Sequence, residues 1–351
     1  MTENARAAAR SPRSSVRPRA PEFRPSCGVS LLLEPKSRPA LDNLLQLSLY
    51  DCGLRTLAGV EEARDSAARA PLFPKLTSLD LGRNPELTND ALPPTFHTQL
   101  PQLAQLWSDD CGFGPRIPAT LLKLDNVRVV RMTGNRLEGE LEGGIGIEYW
   151  TFAKVLAFDS NGLTSVGRGL GRMKHLEKLL LRGNNLVSLP RGLPSEDNSN
   201  LNTISLASNQ LSSLPASLVH VSATLKELYL NGNKIEELPE GTGWSQLLAL
   251  KKLNLSHNLI GARESVDAGD GSGPGDDADD VVMERADDPS LPQDFVARFG
   301  LPEPLTGQCT KDSDVVVRME GNPLAEAMRQ KFVEEEKRKN QVTAMETEVV
   351  Q

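Results

Sequence analysis

The sequence predicts an α/β solenoid, a right-handed horseshoe with a parallel β-sheet on its concave side and short helices and irregular segments on its convex side. Three observations predict it. A phrase close to L-x-x-L-x-L-x-x-N-x-L occurs nine times along the 351 residues, and a tenth, weaker copy follows. In the four cleanest copies the first leucines are 25, 24 and 25 residues apart. The returns between copies are short and often carry Leu-Pro. A repeat of this period indicates turns that stack and bury their apolar sides against each other.

The leucine part of each phrase predicts a short β-strand. In the copy that begins at Leu176, the leucines Leu179 and Leu181 alternate with other residues. Alternation is typical of a strand with one buried face, because successive side chains point to opposite sides. We therefore expect the residues between the leucines to lie side by side on the concave face.

The polar position that follows each strand predicts an internal ladder of side chains. An asparagine amide both donates and accepts hydrogen bonds, so it can pair the backbone groups that are buried where the chain turns away from the strand. The predicted ladder is Cys52, Asn84, Cys111, Asn135, Asn161, Asn184, Asn209, Asn233, Asn258 and Asn322.

Some copies depart from the phrase and predict softer turns. Pro85 and Glu86 delay Leu87 by one place, Ser108 stands at a leucine position of the third copy, and Ala153 opens the fifth. Smaller or polar residues bury less apolar area, so we expect these turns to bury less than the others.

These phrases resemble the leucine-rich repeat family, and the resemblance covers roughly residues 41–324. The later copies, with Leu-Pro returns, are similar to the short repeats of intracellular Ras-suppressor-like proteins. Residues 117–124 and 135–139 resemble plant-type repeats instead. The resemblance implies a fold that presents a surface to a partner protein and carries no catalytic activity.

The chain divides into a repeat domain and two tails. Residues 39–340 form the predicted repeat domain of about ten repeats, which includes an acidic insert at residues 262–313. Residues 1–38 are Arg-rich and residues 341–351 are short, and both are predicted to be disordered. Outer-face helices are expected at residues 60–68 and 291–299. Residues 325–340 predict a charged helix that caps the solenoid with Met328 and Phe332, and the alternative is a partner-binding tail.

Cysteine usage favours an intracellular, reducing compartment, and we predict a cytoplasmic protein. Cys27, Cys52, Cys111 and Cys309 are not clustered. Cys52 and Cys111 lie two turns apart, so their Cα atoms should be about 10 Å apart, which is too far for a disulfide. No run of 18 apolar residues is present, and residues 31–33 are too short for a signal-peptide core. The Arg-rich start is compatible with a transit peptide, although its prolines favour a disordered tail.

The sequence predicts no catalytic residue, no cofactor and no metal site. None of the four histidines stands at a ligand spacing, and the nucleophile and phosphate-binding motifs are absent. The acidic insert is either a solvated loop or a weak, nonspecific cation binder. We expect no specific nucleic-acid binding, because no aromatic residue is interleaved with the tail arginines, and no small-molecule substrate.

The residues between the strand leucines are the candidate partner-binding site. They are Trp107, Asp109, Arg131, Asp159, Leu180, Arg182 and Tyr229, since interfaces take their energy from a few Trp, Tyr and Arg anchors. Asp159 and Arg182 are one turn apart, so their side chains are expected to pair. The predicted function is a monomeric intracellular scaffold or adaptor for a partner protein. The alternative is the ligand-binding region of a secreted or receptor-type protein.

Overall fold

The fold is a parallel β-sheet with a row of short helices and loops. A computed structural model describes residues 41–57, 71–141, 147–214, 216–236, 247, 249–260, 316–318 and 321–323. Their strands are β1 (Gln46–Ser48), β2 (Ser78–Asp80), β3 (Gln105–Trp107), β4 (Val129–Arg131), β5 (Glu138–Glu140), β6 (Val155–Ala157), β7 (Gly162–Ser165), β8 (Lys178–Leu180), β9 (Thr203–Ser205), β10 (Glu227–Tyr229), β11 (Lys252–Asn254) and β12 (Val316–Arg318).

Ten of these strands form one sheet in chain order, β1-β2-β3-β4-β6-β8-β9-β10-β11-β12. Every neighbouring pair is parallel, and the middle residues of successive strands pair with each other, as Leu106 does with Val130. A separate parallel pair, β5 with β7, lies in the returns that follow β4 and β6. The predicted solenoid with one parallel sheet is thereby confirmed.

The return segments carry the helices of the described residues. One short α-helix spans Ala119–Leu122, and 3-10 helices span Asn89–Ala91, Phe96–Gln99, Ile147–Tyr149, Arg168–Arg172, Glu196–Asn198 and Ala216–Val221. Side chains join consecutive returns: the Ser217 hydroxyl donates to the Leu193 carbonyl at 3.0 Å, and the Trp150 indole N–H to that of Leu121 at 3.2 Å. The helices therefore stack in a second row, as the short returns predict.

The core runs between the sheet and this row, and it corrects one expectation. Leu87, Ser108 and Ala153 are all fully buried, at 0% exposure, so the turns with irregular phrases are not softer in burial. Phe113, at the last leucine position of the third copy, and Trp150, in a return segment, are also fully buried. These two large side chains belong to the same core. The buried Ser108 hydroxyl donates to the Arg131 carbonyl at 3.1 Å, so its polar group is satisfied.

Asparagine side chains connect consecutive turns through their amides. Asn209 accepts from the Leu186 N–H of the previous turn at 3.0 Å and donates to the carbonyls of Leu181 and Leu206 at 2.9 and 3.0 Å. Comparable bonds recur at the other asparagines, Asn84, Asn135, Asn161, Asn184, Asn233, Asn258 and Asn322. Cys111 replaces the amide with a thiol that donates to the Leu81 carbonyl at 3.2 Å.

A left-handed residue precedes each ladder position, which the repeated phrase does not indicate. The φ angles lie between 52° and 68° at Asp51, Arg83, Asp110, Gly134, Ser160, Gly183, Ser208, Gly232, His257 and Gly321. A positive φ turns the backbone sharply, so the following side chain points back into the coil. Both the ladder and the return therefore begin at this bend.

Several sequence predictions lie outside the described residues. They concern the tails at residues 1–38 and 341–351, the acidic insert at residues 262–313, and the helices at residues 60–68, 291–299 and 325–340, which include the cap residues Met328 and Phe332. Within the described part, no helix is both long and apolar enough to cross a membrane.

Candidate functional site

The side chains between the buried leucines form one continuous surface, which we call the sheet face. From β1 to β11, each strand of the sheet places its middle residue toward the core and its first and last residues on this face. Through the strand register, the last residues follow one another across the sheet as Ser48, Asp80, Trp107, Arg131, Ala157, Leu180, Ser205, Tyr229, Asn254 and Arg318. This is the order that the repeat spacing predicts.

Trp107, Arg131 and Asp109 meet at the centre of the first half of the sheet. Trp107 is half-buried and pairs in register with Arg131. The Arg131 guanidinium bonds to Asp109 Oδ2 at 2.9 Å, with 50% and 23% of the two side chains exposed. Asp109 Oδ1 accepts the Thr133 N–H at 2.8 Å. Such an exposed pair adds little stability, about 0.2–1 kcal/mol. Its effect is to hold the guanidinium toward the strand ends, on the strand next to that of Trp107.

Asp159 repeats the role of Asp109 one strand beyond Arg131. Its Oδ1 accepts the backbone N–H of Arg182 at 2.6 Å. Burial raises the pKa of the Asp159 carboxyl above its usual value, although the Arg182 N–H, the Arg182 guanidinium and Arg131 act in the opposite direction. The sequence predicts a side-chain pair between Asp159 and Arg182, whereas the bond in the structure comes from the Arg182 backbone. At both strand ends the carboxylate accepts a backbone N–H of the next turn. Across the sheet, Asp109, Arg131, Asp159 and Arg182 follow one another as a row of alternating charge.

Leu180 belongs to this group, and Tyr229 does not. Leu180 is half-buried and lies two residues before Arg182, on the strand next to the one that Asp159 follows. Tyr229 lies two strands further on, about 10 Å from Leu180 at the usual strand spacing. Its hydroxyl donates to Glu227 Oε2 at 3.3 Å. A hydrogen bond from Lys252 is the main cause that lowers the pKa of Glu227. The structure therefore brings six of the seven candidate residues together and leaves Tyr229 in a neighbouring group.

Two valines of the same surface are not among the sequence candidates. Val129 and Val155 are the first residues of β4 and β6, are half-buried, and pair in register. Together with Trp107 and Leu180 they form what we call the apolar patch. The third position of the phrase also faces outward, and it is polar in most copies. A valine at this position in two consecutive copies is the signal that could have identified them.

Exposed aromatic residues mark two further places that the sequence candidates omit. Tyr50 is 48% exposed, and the Arg83 guanidinium lies 5.9 Å from its ring centroid. Phe152 is 50% exposed and stacks on His175 with centroids 5.8 Å apart. Both lie at the margins of the sheet face: Tyr50 follows the end of β1, and Phe152 precedes the start of β6.

The described residues contain no group of three side chains arranged to hold a metal ion. Cys52 and Cys111 are both free thiols. Burial raises the pKa of the Cys111 thiol to about 11, so this thiol stays protonated near neutral pH. What the sheet face offers to another molecule is charge, hydrogen-bonding groups and apolar area.

Comparison with known proteins places these turns among known repeats. Residues 174–235 match the family model described as leucine rich repeat. Podocan-like protein 1 of Mus musculus is 40% identical over 90 residues, which are 25% of this chain and 15% of that protein. Podocan of Mus musculus is 29% identical over 149 residues, 41% of this chain and 23% of podocan. Osteomodulin of Bos taurus is 35% identical over 91 residues, 26% of this chain and 20% of its own.

The chain thus spans less than a quarter of each of these relatives. Among solved structures, a leucine-rich repeat protein of Leptospira interrogans superposes with a TM-score of 0.52 at 23% identity. The match covers 67% of this chain and 60% of that protein, which shows the shared fold.

Proposed function

We propose that this chain, a leucine-rich repeat protein, is a non-enzymatic protein–protein interaction module that holds a partner protein on its sheet face. The observation that carries the proposal is the half-buried Trp107 beside the Asp109–Arg131 ion pair. Trp and Arg are the residue types that most often dominate binding energy at interfaces, and a fixed guanidinium presents its remaining donors in one direction.

The surroundings of Trp107 support this proposal. Val129, Val155 and Leu180 lie on adjacent strands of the same face and are all partly exposed. An apolar centre with charged groups at its rim is the usual arrangement of a protein interface. The row of alternating charge through Asp109, Arg131, Asp159 and Arg182 would set the orientation of a partner, because like charges placed opposite one another are repelled.

Affinity capture tests the proposal. The full chain and the variant W107A/R131A/Y229A are immobilised, and the captured proteins are identified by mass spectrometry. We expect the variant to lose specific partners. The control variant R136A/Y149A/V187A removes three exposed side chains of the return segments. An unchanged set of partners with the first variant, while circular dichroism shows an intact fold, would discard the sheet face as the binding surface.

The cellular setting of the module has two candidates. We infer an intracellular, cytoplasmic scaffold or adaptor from the cysteine usage and from the similarity to Ras-suppressor-like repeats, and that finer similarity stays a prediction. The alternative, ligand binding by a secreted or receptor-type protein, is favoured by the relatives, because podocan and osteomodulin are extracellular matrix proteins. Fractionation of cells that express a tagged full chain decides between the cytoplasmic and the secreted candidate. Recovery from the medium would refute the cytoplasmic candidate.

The proposal also includes a monomeric state, which leaves the sheet face open to a different protein. Light scattering coupled to size exclusion should return the 38.2 kDa mass of a single chain. A dimer whose mass falls to one chain in W107A/R131A/Y229A would show that the sheet face binds a second copy instead.

A further inference from the structure

Positively charged side chains line the edge of the sheet face where the strands begin. Backbone hydrogen bonds connect this position from turn to turn, as from Lys154 to the Arg128 carbonyl at 2.7 Å and from Lys251 to the Lys226 carbonyl at 2.8 Å. Among the described residues, this edge carries six exposed cations and two carboxylates, a net charge of +4 from six minus two. We call the cations the cation row: Arg128, Lys154, Lys178, Lys226, Lys251 and Lys252, with Glu177 and Glu227 among them.

Two cations beside the apolar patch remain available. Lys154 bonds to Glu177 at 2.6 Å and Lys252 to Glu227 at 2.9 Å. Arg128 and Lys178, in contrast, form no ion pair with any carboxylate of the described residues. Arg128 directly precedes Val129 of the apolar patch, and Lys178 is two residues before Leu180 on β8. A ligand that covers the patch therefore meets these two charges along one side.

We propose that the sheet face binds an amphipathic α-helix that lies across β3, β4, β6 and β8. Its apolar side rests on the apolar patch, and its carboxylate-bearing flank faces Arg128 and Lys178. This assignment rests on the proposed function and specifies the partner's chemistry. A helix that uses one apolar face in this way is a common mode of recognition.

The spacing of the strands favours a helix over an extended segment. Three strand steps of about 4.8 Å give about 14 Å from β3 to β8. Three helical turns of 5.4 Å measure about 16 Å, a mismatch of about 2 Å. An extended chain repeats the same side about every 6.7 Å, so three repeats measure about 20 Å and miss by about 6 Å. One side chain per turn of a helix therefore matches the strand spacing more closely than one per repeat of an extended segment.

The combination of charge and apolar area favours a protein segment over a polyanion. A nucleic acid or a sulfated polysaccharide would use the cation row but would leave Val129, Val155 and Leu180 uncovered. On the other flank the strand ends carry both signs, because Arg131 and Arg182 stand beside Asp109 and Asp159, so these four residues have no net charge. The carboxylates of the helix are therefore assigned to the flank that faces Arg128 and Lys178, and this fixes which way its charged side faces.

Selection from a peptide library tests the assignment. Phage that display random 16-residue peptides are selected on the immobilised full chain, and the enriched sequences are read. We expect apolar residues at three- and four-residue spacing, with Asp or Glu on one flank of the same helical projection. Enrichment of alternating or basic sequences, or no enrichment over the unselected library, overturns the proposal.

Charge reversal then locates the flank. The labelled, most enriched peptide should bind R128E/K178E about tenfold or more weakly than the parent chain at low salt, because both contacts become repulsive. The control R136E/K234E makes the same charge change at exposed positions of the return segments and should leave affinity within twofold. Equal affinity of all three chains overturns the proposal. The proposal is also overturned if no peptide is enriched and the parent chain binds labelled heparin that R128E/K178E does not bind.

The two proposals fail separately. If W107A/R131A/Y229A loses its captured partners but the library yields no acidic amphipathic helix, only the assignment of a helix fails. If that variant keeps all its partners, the sheet face itself is wrong.

Discussion

Replacement of Asn209 by alanine tests whether the buried amides hold the turns together. Asn209 is 7% exposed and makes four hydrogen bonds. Its oxygen accepts the Leu186 N–H at 3.0 Å, and its nitrogen donates to three carbonyls. Two of them, those of Leu181 and Leu206, also accept from the neighbouring amides of Asn184 and Asn233.

The magnitude follows from which groups lose their partners. The Leu186 N–H loses its acceptor in a dry interior, which costs about 1–3 kcal/mol. The carbonyls of Leu181 and Leu206 keep one donor each, so together they add about 1 kcal/mol of lost net hydrogen bonding. We expect Asn209→Ala to lower the free energy of unfolding by about 2–4 kcal/mol.

Asn161→Ala is the matched control. Asn161 also makes four hydrogen bonds, from the Leu137 N–H and to the carbonyls of Met132, Phe158 and Asp159. It is half-buried, so water can reach the freed groups and the cost should be only about 1–2 kcal/mol. Urea unfolding followed by circular dichroism measures both variants. Equal losses, or a larger loss for Asn161→Ala, would refute the reasoning that burial sets the cost.

Three further outcomes are expected. Gly114→Ala should lower the free energy of unfolding in urea by about 3 kcal/mol, because its Cβ would clash with the backbone carbonyl oxygen of Arg136. Gly139→Ala should lower it by only about 1 kcal/mol, because that position has open space and only a positive φ. Equal losses would contradict this. Cys111, with its pKa raised to about 11, should react on the order of a hundredfold more slowly with a thiol reagent at pH 8 than an ordinary thiol. Cys52, the less buried of these two thiols, should react before Cys111, and the reverse order would contradict the reasoning. The pKa of Asp159 is raised in the folded chain, so the ionised carboxylate opposes folding at neutral pH. This destabilisation disappears as the pH falls through the folded-state pKa to the lower pKa of the unfolded chain. Asp159→Asn should therefore raise the free energy of unfolding at pH 7 by less than about 1 kcal/mol, and by a smaller amount at pH 4. An increase that grows on acidification would contradict this reasoning.

The strands and their register were predictable because leucine alternation and the ladder position both recur in phase. One slip of register would move the buried leucines of a strand to the sheet face. The left-handed bends were not predictable in this way. Glycine marks the bend at Gly134 and Gly183, but Asp110, Ser160 and His257 occupy the same position, so no single residue type signals it.

Packing in the irregular turns could not be predicted from the phrase alone. Ser108 and Ala153 weaken it, yet both are fully buried, as are Phe113 of the third copy and Trp150 of a return segment. The volume that these side chains occupy depends on how the returns fold, and the repeat does not encode this.

The candidate site was predictable as a column of positions and not as a set of contacts. The strand register carries Trp107 and Arg131 to adjacent positions directly. Spacing does not tell whether Asp159 meets a guanidinium or a backbone N–H, since both lie within reach of a strand-end carboxylate. The separation of Tyr229 from the other candidates follows from the strand order, in which one strand lies between β8 and β10.

A photocrosslink tests the central claim most directly. A photoreactive amino acid is placed either at Trp107 on the sheet face or at Val187, an exposed residue of a return segment, and each chain is illuminated with its captured partner. A partner held on the sheet face should be crosslinked from position 107 and not from position 187. Crosslinking from position 187 alone would contradict the claim.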